Sequence, residues 1–237
     1  MAPASKSARP AKKARFDAPA YWEARSTHRV LEAGRSQILE RSRQIVEAAY
    51  ALLEEEGLDA LTIRAVLSKT GLSRRAFYER FAGKDDLMLA VFEHTIRLAT
   101  SHYSEQVRAL SDPMERLKLI VTCIVLSKSS LEEQSEPHNR RGAAMSQEHL
   151  RLAESRPDDL QAALSPLMTL IAQQLSDGMA AGSVRDGDPQ RLATLVYNLV
   201  STTVHTEFLR KAAQPDRQRQ TRLAADIWEF CRRAIAA

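Results

Sequence analysis

The chain has 237 residues and a formal net charge of +4, with 44% hydrophobic and 27% charged residues. That apolar share is enough to bury a real core, which sets the chain apart from disordered sequences. No run approaches the ~20 consecutive apolar residues that a membrane-spanning helix needs. Eight glycines, nine prolines and scarce β-branched alternation leave long uninterrupted helical stretches, so the chain reads as all-α. Cys123 and Cys231 have neither metal nor redox spacing and read as small core residues in a reducing, cytoplasmic setting.

Residues 1–35 read as a basic, largely disordered arm. Lys6, Arg9, Lys12, Lys13 and Arg15 stand among Ala, Pro and Ser with no acid between them. Such a composition cannot bury a core. No apolar segment follows these cations, so the stretch does not read as a secretory signal. Tyr21, Trp22, Val30 and Leu31 are too apolar for a pure tail and predict a short helix from about Ala20. The next helix is expected from about Ser36 to Glu56, with Ile38, Ile45, Ala49, Leu52 and Leu53 on its apolar face and Gly57 ending it. Glu54, Glu55 and Glu56 sit at the negative end of that helix dipole, and arginines of the following basic unit are their expected partners.

The stretch from Leu61 to Leu87 organises the rest. Thr62 is an N-cap, with Leu61 and Val66 in the positions of a hydrophobic staple. Gly71 permits the left-handed conformation that ends the helix. Ser73 is a second N-cap, with Leu72 and Phe77 repeating the staple. Two capped helices with a glycine turn between them spell a helix-turn-helix. From Thr62 to Lys84 the unit carries Arg64, Lys69, Arg74, Arg75, Arg80 and Lys84 against one acid, Glu79. Basic charge concentrated on such a unit is the electrostatic footprint of double-stranded DNA binding. The N-terminal part of the second helix is the part that enters the major groove. Arg74 and Arg75 are candidates for guanine contacts, Tyr78 and Lys84 for phosphate.

Gly71-Leu72-Ser73, then Phe77-Tyr78, Phe81, Lys84 and Leu87, resembles the DNA-binding domain of the tetracycline-repressor (TetR) family. The resemblance covers roughly residues 36–96 at sequence level and is architectural beyond that. It implies that Tyr78 and Lys84 hold phosphates and that Thr62 touches the backbone. Arg75 stands where the family commonly has glycine, adding a possible base reader. Ala76 stands where threonine or serine is common, leaving a methyl for thymine contact. With Arg64, Ser73, Arg74 and Arg80, these complete the candidate DNA-binding set. Residues 1–19 read either as an arm lying along the DNA or in its minor groove, or as a solubilising tail. The resemblance also implies an N-terminal three-helix helix-turn-helix domain (residues 36–83) and a C-terminal helical effector-binding and dimerisation domain (84–237).

The remaining helices follow the pattern. One starts at Lys84, with Asp85 and Asp86 in its first turn, and runs to about Arg108. Ser111-Asp112-Pro113 restarts the chain into a helix bearing Leu117, Ile120, Val121, Ile124 and Val125. Residues 127–141 read as a loop and Gly142 to Ser155 as a helix. Pro157 opens another helix, apolar from Leu160 to Met179, with Pro166 inside it as an expected kink. Pro189 opens a helix apolar on more than one face, from Leu192 through Leu195 to Phe208. The last runs from about Pro215 to Ile235 and bears Leu223, Ile227 and Phe230. These final two helices resemble the family's dimer interface. Its effector pocket implies lining residues among Cys123, Met145, His149, Met168, Tyr197, Asn198 and His205.

Catalysis finds no support in the sequence. The six histidines show no metal-ligand spacing, and there is no phosphate loop and no nucleophile elbow. The expected protein is a non-enzymatic, cofactor-free, homodimeric regulator that binds an inverted-repeat operator and is released by a small hydrophobic effector. The alternative is a DNA-binding protein that is constitutive or controlled by a protein partner.

Overall fold

A computed structural model of the chain describes residues 21–126, 137–210 and 217–237. The chain forms two compact units, Met1–Arg41 and Ser42–Ala237. Nine helices lie in the described residues: α1 (Tyr21–Glu56), α2 (Ile63–Thr70), α3 (Arg74–Tyr78), α4 (Lys84–Val107), α5 (Pro113–Val125), α6 (Pro137–Ser155), α7 (Pro157–Ala180), α8 (Pro189–Arg210) and α9 (Arg217–Ile235). The all-α expectation holds.

Two helix starts differ from the sequence reading. Helix α1 begins at Tyr21 rather than Ser36, because no proline separates the apolar patch at Tyr21 and Trp22 from the longer helix and the single Gly34 between them is tolerated within it. Ile38, expected on the buried face, is 53% exposed. Helix α6 begins at Pro137 rather than Gly142, with proline at the helix position that lacks a donor anyway. The basic arm over residues 1–19, the loop over 127–136 and the expected start of the last helix at Pro215 lie outside the described residues.

Within the larger unit the buried side chains gather in two clusters. The first joins Ile45, Ala49 and Leu53 of α1 to Leu61, Val66, Phe77, Phe81, Leu87 and Val91. The second fills the body, where α7 packs against α4, α5, α6 and α8, and α9 packs against α5 and α8. Ala144 of α6 belongs to the first cluster, and Met145 packs against both. Helix α6 therefore touches both clusters.

The end of α7 is tied to the end of α9. Gly182 takes φ +69°, which turns the chain back so that Ser183 N–H donates to Gly178 O at 2.9 Å. Val184 then bridges antiparallel to Ala236, and Arg185 N–H donates to Ile235 O at 2.9 Å. Val184 is 3% exposed and lies over Gly178, where an added Cβ would come within 2.4 Å of its Cγ2. Because the bridge pins Val184, Gly178→Ala is expected to destabilise the protein by about 1–3 kcal/mol, read as a lower denaturant midpoint at unchanged slope. Wild-type stability in this variant would mean that the turn relaxes freely.

Candidate functional site

The helix-turn-helix is built as its caps specify. Ala65 N–H donates to Thr62 Oγ1 at 3.1 Å, and Ala76 N–H donates to Ser73 Oγ at 3.2 Å. Gly71 takes φ +70° and donates to Leu67 O at 2.9 Å. Leu61, Val66 and Phe77, three of the four staple residues, are completely buried. The Phe77 ring meets Tyr78 edge-on at 5.3 Å and Phe81 at 5.5 Å. This packing fixes which side of α3 looks outward.

Thr62, Arg64, Ser73, Arg74, Arg75, Tyr78 and Lys84 are exposed. The Arg75 side chain is 89% exposed and pairs with Glu79 at 2.9 Å. An ion pair between two exposed side chains is weak, so the guanidinium is available to a groove. Glu79 in turn is held below the usual carboxylate range, first by its hydrogen bond from Arg75. Lys84 stands at the first position of α4, where Asp86 Oδ2 accepts from Ala82 N–H at 3.2 Å.

Two candidate DNA contacts face inward instead. Ala76 is buried next to Phe77, so its methyl is not offered to a base. Arg80 lies one helical turn beyond Ala76 and follows it inward. Its side chain is 6% exposed, and Nη1 donates to Ala76 O. Arg80 thus closes the C-terminal end of α3. The acidic end of α1 finds a basic partner at Lys69, with Nζ 2.8 Å from Glu55 Oε2.

A cavity of about 140 Å³ lies in the body. Helix α4 supplies Phe92, Thr95, Ile96, Ala99 and Tyr103, while α6 supplies Met145, Ser146 and His149. Helix α8 adds Tyr197, Ser201 and Val204, with Ile124 of α5 and Leu167 of α7 completing the apolar wall. Tyr50 reaches the cavity from α1, the helix that also carries the head core, and its ring meets His94 edge-on at 5.4 Å. His149 stacks on Phe92 with ring centroids 6.4 Å apart and meets Tyr197 edge-on at 5.8 Å. Burial lowers the His149 pKa below the ordinary 6.5, and His205 lowers it further. Burial alone pushes the Tyr197 hydroxyl up.

Of the candidate lining residues, Met145, His149 and Tyr197 meet at the cavity. His205 stands behind it, with Nδ1 3.0 Å from Ser146 Oγ. Cys123 is fully buried in the body core, Met168 packs against that core outside the lining, and Asn198 is exposed. Asn198 follows Tyr197 directly, and adjacent helix positions point about 100° apart. Tyr50, Thr95, Tyr103, Ser146 and Ser201 were missed. The available signal was polar-tipped aromatics and hydroxyls interrupting otherwise apolar helix faces.

Helix α6 also reaches the start of α4. Glu148 is buried and accepts two hydrogen bonds from Arg151, at 2.9 and 2.6 Å. Arg151 Nη1 lies 3.4 Å from Asp85 Oδ1, and Arg156 Nη1 lies 3.5 Å from Asp86 Oδ1. Cavity-lining residues and the Arg151 contact to the start of α4 thus share one helix, and Arg156 follows just past its end. Among the described residues no group of acids, histidines and cysteines could hold a metal ion, and no helix is long and apolar enough to cross a membrane.

Residues 45–91 match the family model described as bacterial regulatory proteins, tetR family. An uncharacterised HTH-type transcriptional regulator of Mycobacterium tuberculosis is 25% identical over 164 residues, covering 69% of this chain and 79% of that one. A TetR-family transcriptional regulator from Pectobacterium atrosepticum superposes with a TM-score of 0.67 at 17% identity, over 86% of this chain and 97% of that one. RolR in complex with resorcinol superposes with a TM-score of 0.63 at 16% identity, over 84% and 94%. The matched helix-turn-helix and the relatives' common description agree: residues 45–91 are a DNA-binding domain of the tetR family of bacterial regulatory proteins, and the described chain has the fold of TetR-family transcriptional regulators.

Proposed function

We propose that the protein is a homodimeric repressor that leaves an inverted-repeat operator when a small hydrophobic molecule enters the cavity. In this reading residues 36–83 are the DNA-binding head and residues 84–237 the effector-binding and dimerising body. The observation that carries it is the double role of α6, which lines the cavity through Met145, Ser146 and His149 and holds Asp85, next to Lys84, through Arg151. DNA selects one spacing of the two heads in the dimer. A ligand that favours another arrangement of α6 and α4 lowers DNA affinity by its difference in affinity for the two states. The similar RolR structure holds resorcinol, a small molecule, which agrees with ligand control. Among the described side chains, α8 leaves Leu195 exposed at 57% and α9 leaves Phe230 exposed at 64%, which supports them as the dimer face.

Selection of bound fragments from random duplex DNA near physiological salt tests the DNA half of this reading. An inverted repeat is the expected product; recovery of random sequence alone overturns the operator claim. On the selected site, Arg75→Ala is expected to change base preference. Lys84→Ala is expected to weaken all sites alike and to reduce the slope of log affinity against log salt by about 1. An unchanged preference in Arg75→Ala would remove that residue from the base readers.

A further inference from the structure

We propose that the ligand of this cavity is an uncharged single-ring aromatic molecule bearing a hydroxyl group, with its ring against Phe92 and His149 and its hydroxyl on Tyr197. This rests on the effector reading and narrows it to a chemical class.

Size sets the first limit. The cavity is about 140 Å³, and a protein cavity of roughly 150 Å³ accommodates benzene. One substituted ring fits; a long acyl chain does not. Charge sets the second. Among the described residues no aspartate, glutamate, lysine or arginine lines the cavity. A carboxylate or phosphate placed there would lose its water without gaining a counter-charge. His149 does not supply one, because burial and the neighbouring His205 favour its neutral form.

The polar groups set the third. Tyr197 is 7% exposed, lines the cavity and makes no hydrogen bond in the described structure. Its recorded ring partner is His149, and the His149 ring meets Phe92 and Tyr197 without a hydrogen bond of its own. A hydroxyl with no protein partner is open to one from a ligand, and pairing it in a largely buried site is favourable. A ligand hydroxyl supplies the missing partner, able to accept from Tyr197 and donate to a ring nitrogen of His149. The stacked Phe92 and His149 rings, 13° from parallel, flank the site with flat surfaces that suit a planar guest.

Calorimetric titration of the full chain at pH 8 with 4-methylphenol, toluene, benzoate and decanoate tests this, alongside DNA affinity measured with each compound. The expected result is binding of 4-methylphenol, with benzoate and decanoate at least about tenfold weaker because each would bury an unpaired charge. Tyr197→Phe removes an oxygen that has no partner in the free protein, so its thermal midpoint should match or exceed wild type. The same variant should bind 4-methylphenol about five- to tenfold more weakly, while toluene binds both proteins alike. Ala99→Leu fills the cavity and should abolish binding of both ring compounds. The proposal is overturned if benzoate or decanoate binds as tightly as 4-methylphenol, if neither ring compound binds, or if Tyr197→Phe leaves 4-methylphenol affinity unchanged. Release of DNA by decanoate or benzoate would overturn the ligand class while supporting effector control. Binding of 4-methylphenol with unaltered DNA affinity would support the class and overturn effector control.

Discussion

Phe77→Ala is expected to lower stability by about 3–5 kcal/mol and to abolish specific DNA binding. Phe77 is fully buried, and its ring meets both Tyr78 and Phe81. It joins the short helix α3 to Ile45, Leu53 and Val66 within the head core. Helix α3 has five residues, too few to hold a helical conformation by its own hydrogen bonds. Its packing through Phe77 therefore decides whether Arg74, Arg75 and Tyr78 face the groove together. A thermal melt should show a midpoint lower by roughly 6–20 °C for a chain of this size. Phe77→Leu, which keeps most of the volume, should cost less than about 1.5 kcal/mol and retain binding. An alanine variant that melts with wild type and still selects the operator would mean that other contacts hold α3.

The second large effect is expected at the proposed dimer face. Among the described side chains, Leu195 and Phe230 are the large apolar ones that α8 and α9 leave exposed, and the two helices pack against each other. Covering either side chain fully is worth about 1.5–3 kcal/mol relative to water. The double variant Leu195→Glu, Phe230→Glu replaces that gain with charges that must be desolvated. It should sediment with the mass of one chain rather than two. It should also lose operator affinity by more than about a hundredfold, because a single head contacts only half of the site. Both residues are already exposed within the chain, so its helical circular dichroism should stay at the wild-type level. A variant that remains dimeric would place the interface elsewhere.

The difference between these two predictions marks where the sequence was sufficient. Phe77 was identifiable beforehand, because a staple is a local pattern: Leu72, Ser73 and Phe77 fix their relation within five residues. The same holds for Thr62, for the left-handed turn at Gly71 and for Pro113 and Pro189 at helix starts, since each acts through backbone groups no more than four positions away. Which helix face looks outward in α3 was only half legible. Arg74, Arg75 and Tyr78 are exposed as expected, but Ala76 and Arg80 turn inward. A basic side chain is ordinarily assigned to solvent, yet Arg80 has a backbone carbonyl at Ala76 within its reach.

The sequence by itself determined the helical class, the capped helix-turn-helix with its surplus of basic residues, and the order in which the helices follow. Those features depend on contacts a few residues apart and on the 3.6-residue period. The tertiary structure alone decided the cavity. Tyr50, Phe92, Tyr103, His149 and Tyr197 come from four helices, and only the rotation of each helix against its neighbours brings their side chains to one space. Cys123, Met168 and Asn198 had the same chemical credentials in the sequence and point elsewhere. The pairing of Arg151 with Asp85 likewise joins residues far apart in the chain. No local pattern encodes such a pairing, because it is the packing of α6 against α4 and α7 that sets the distance.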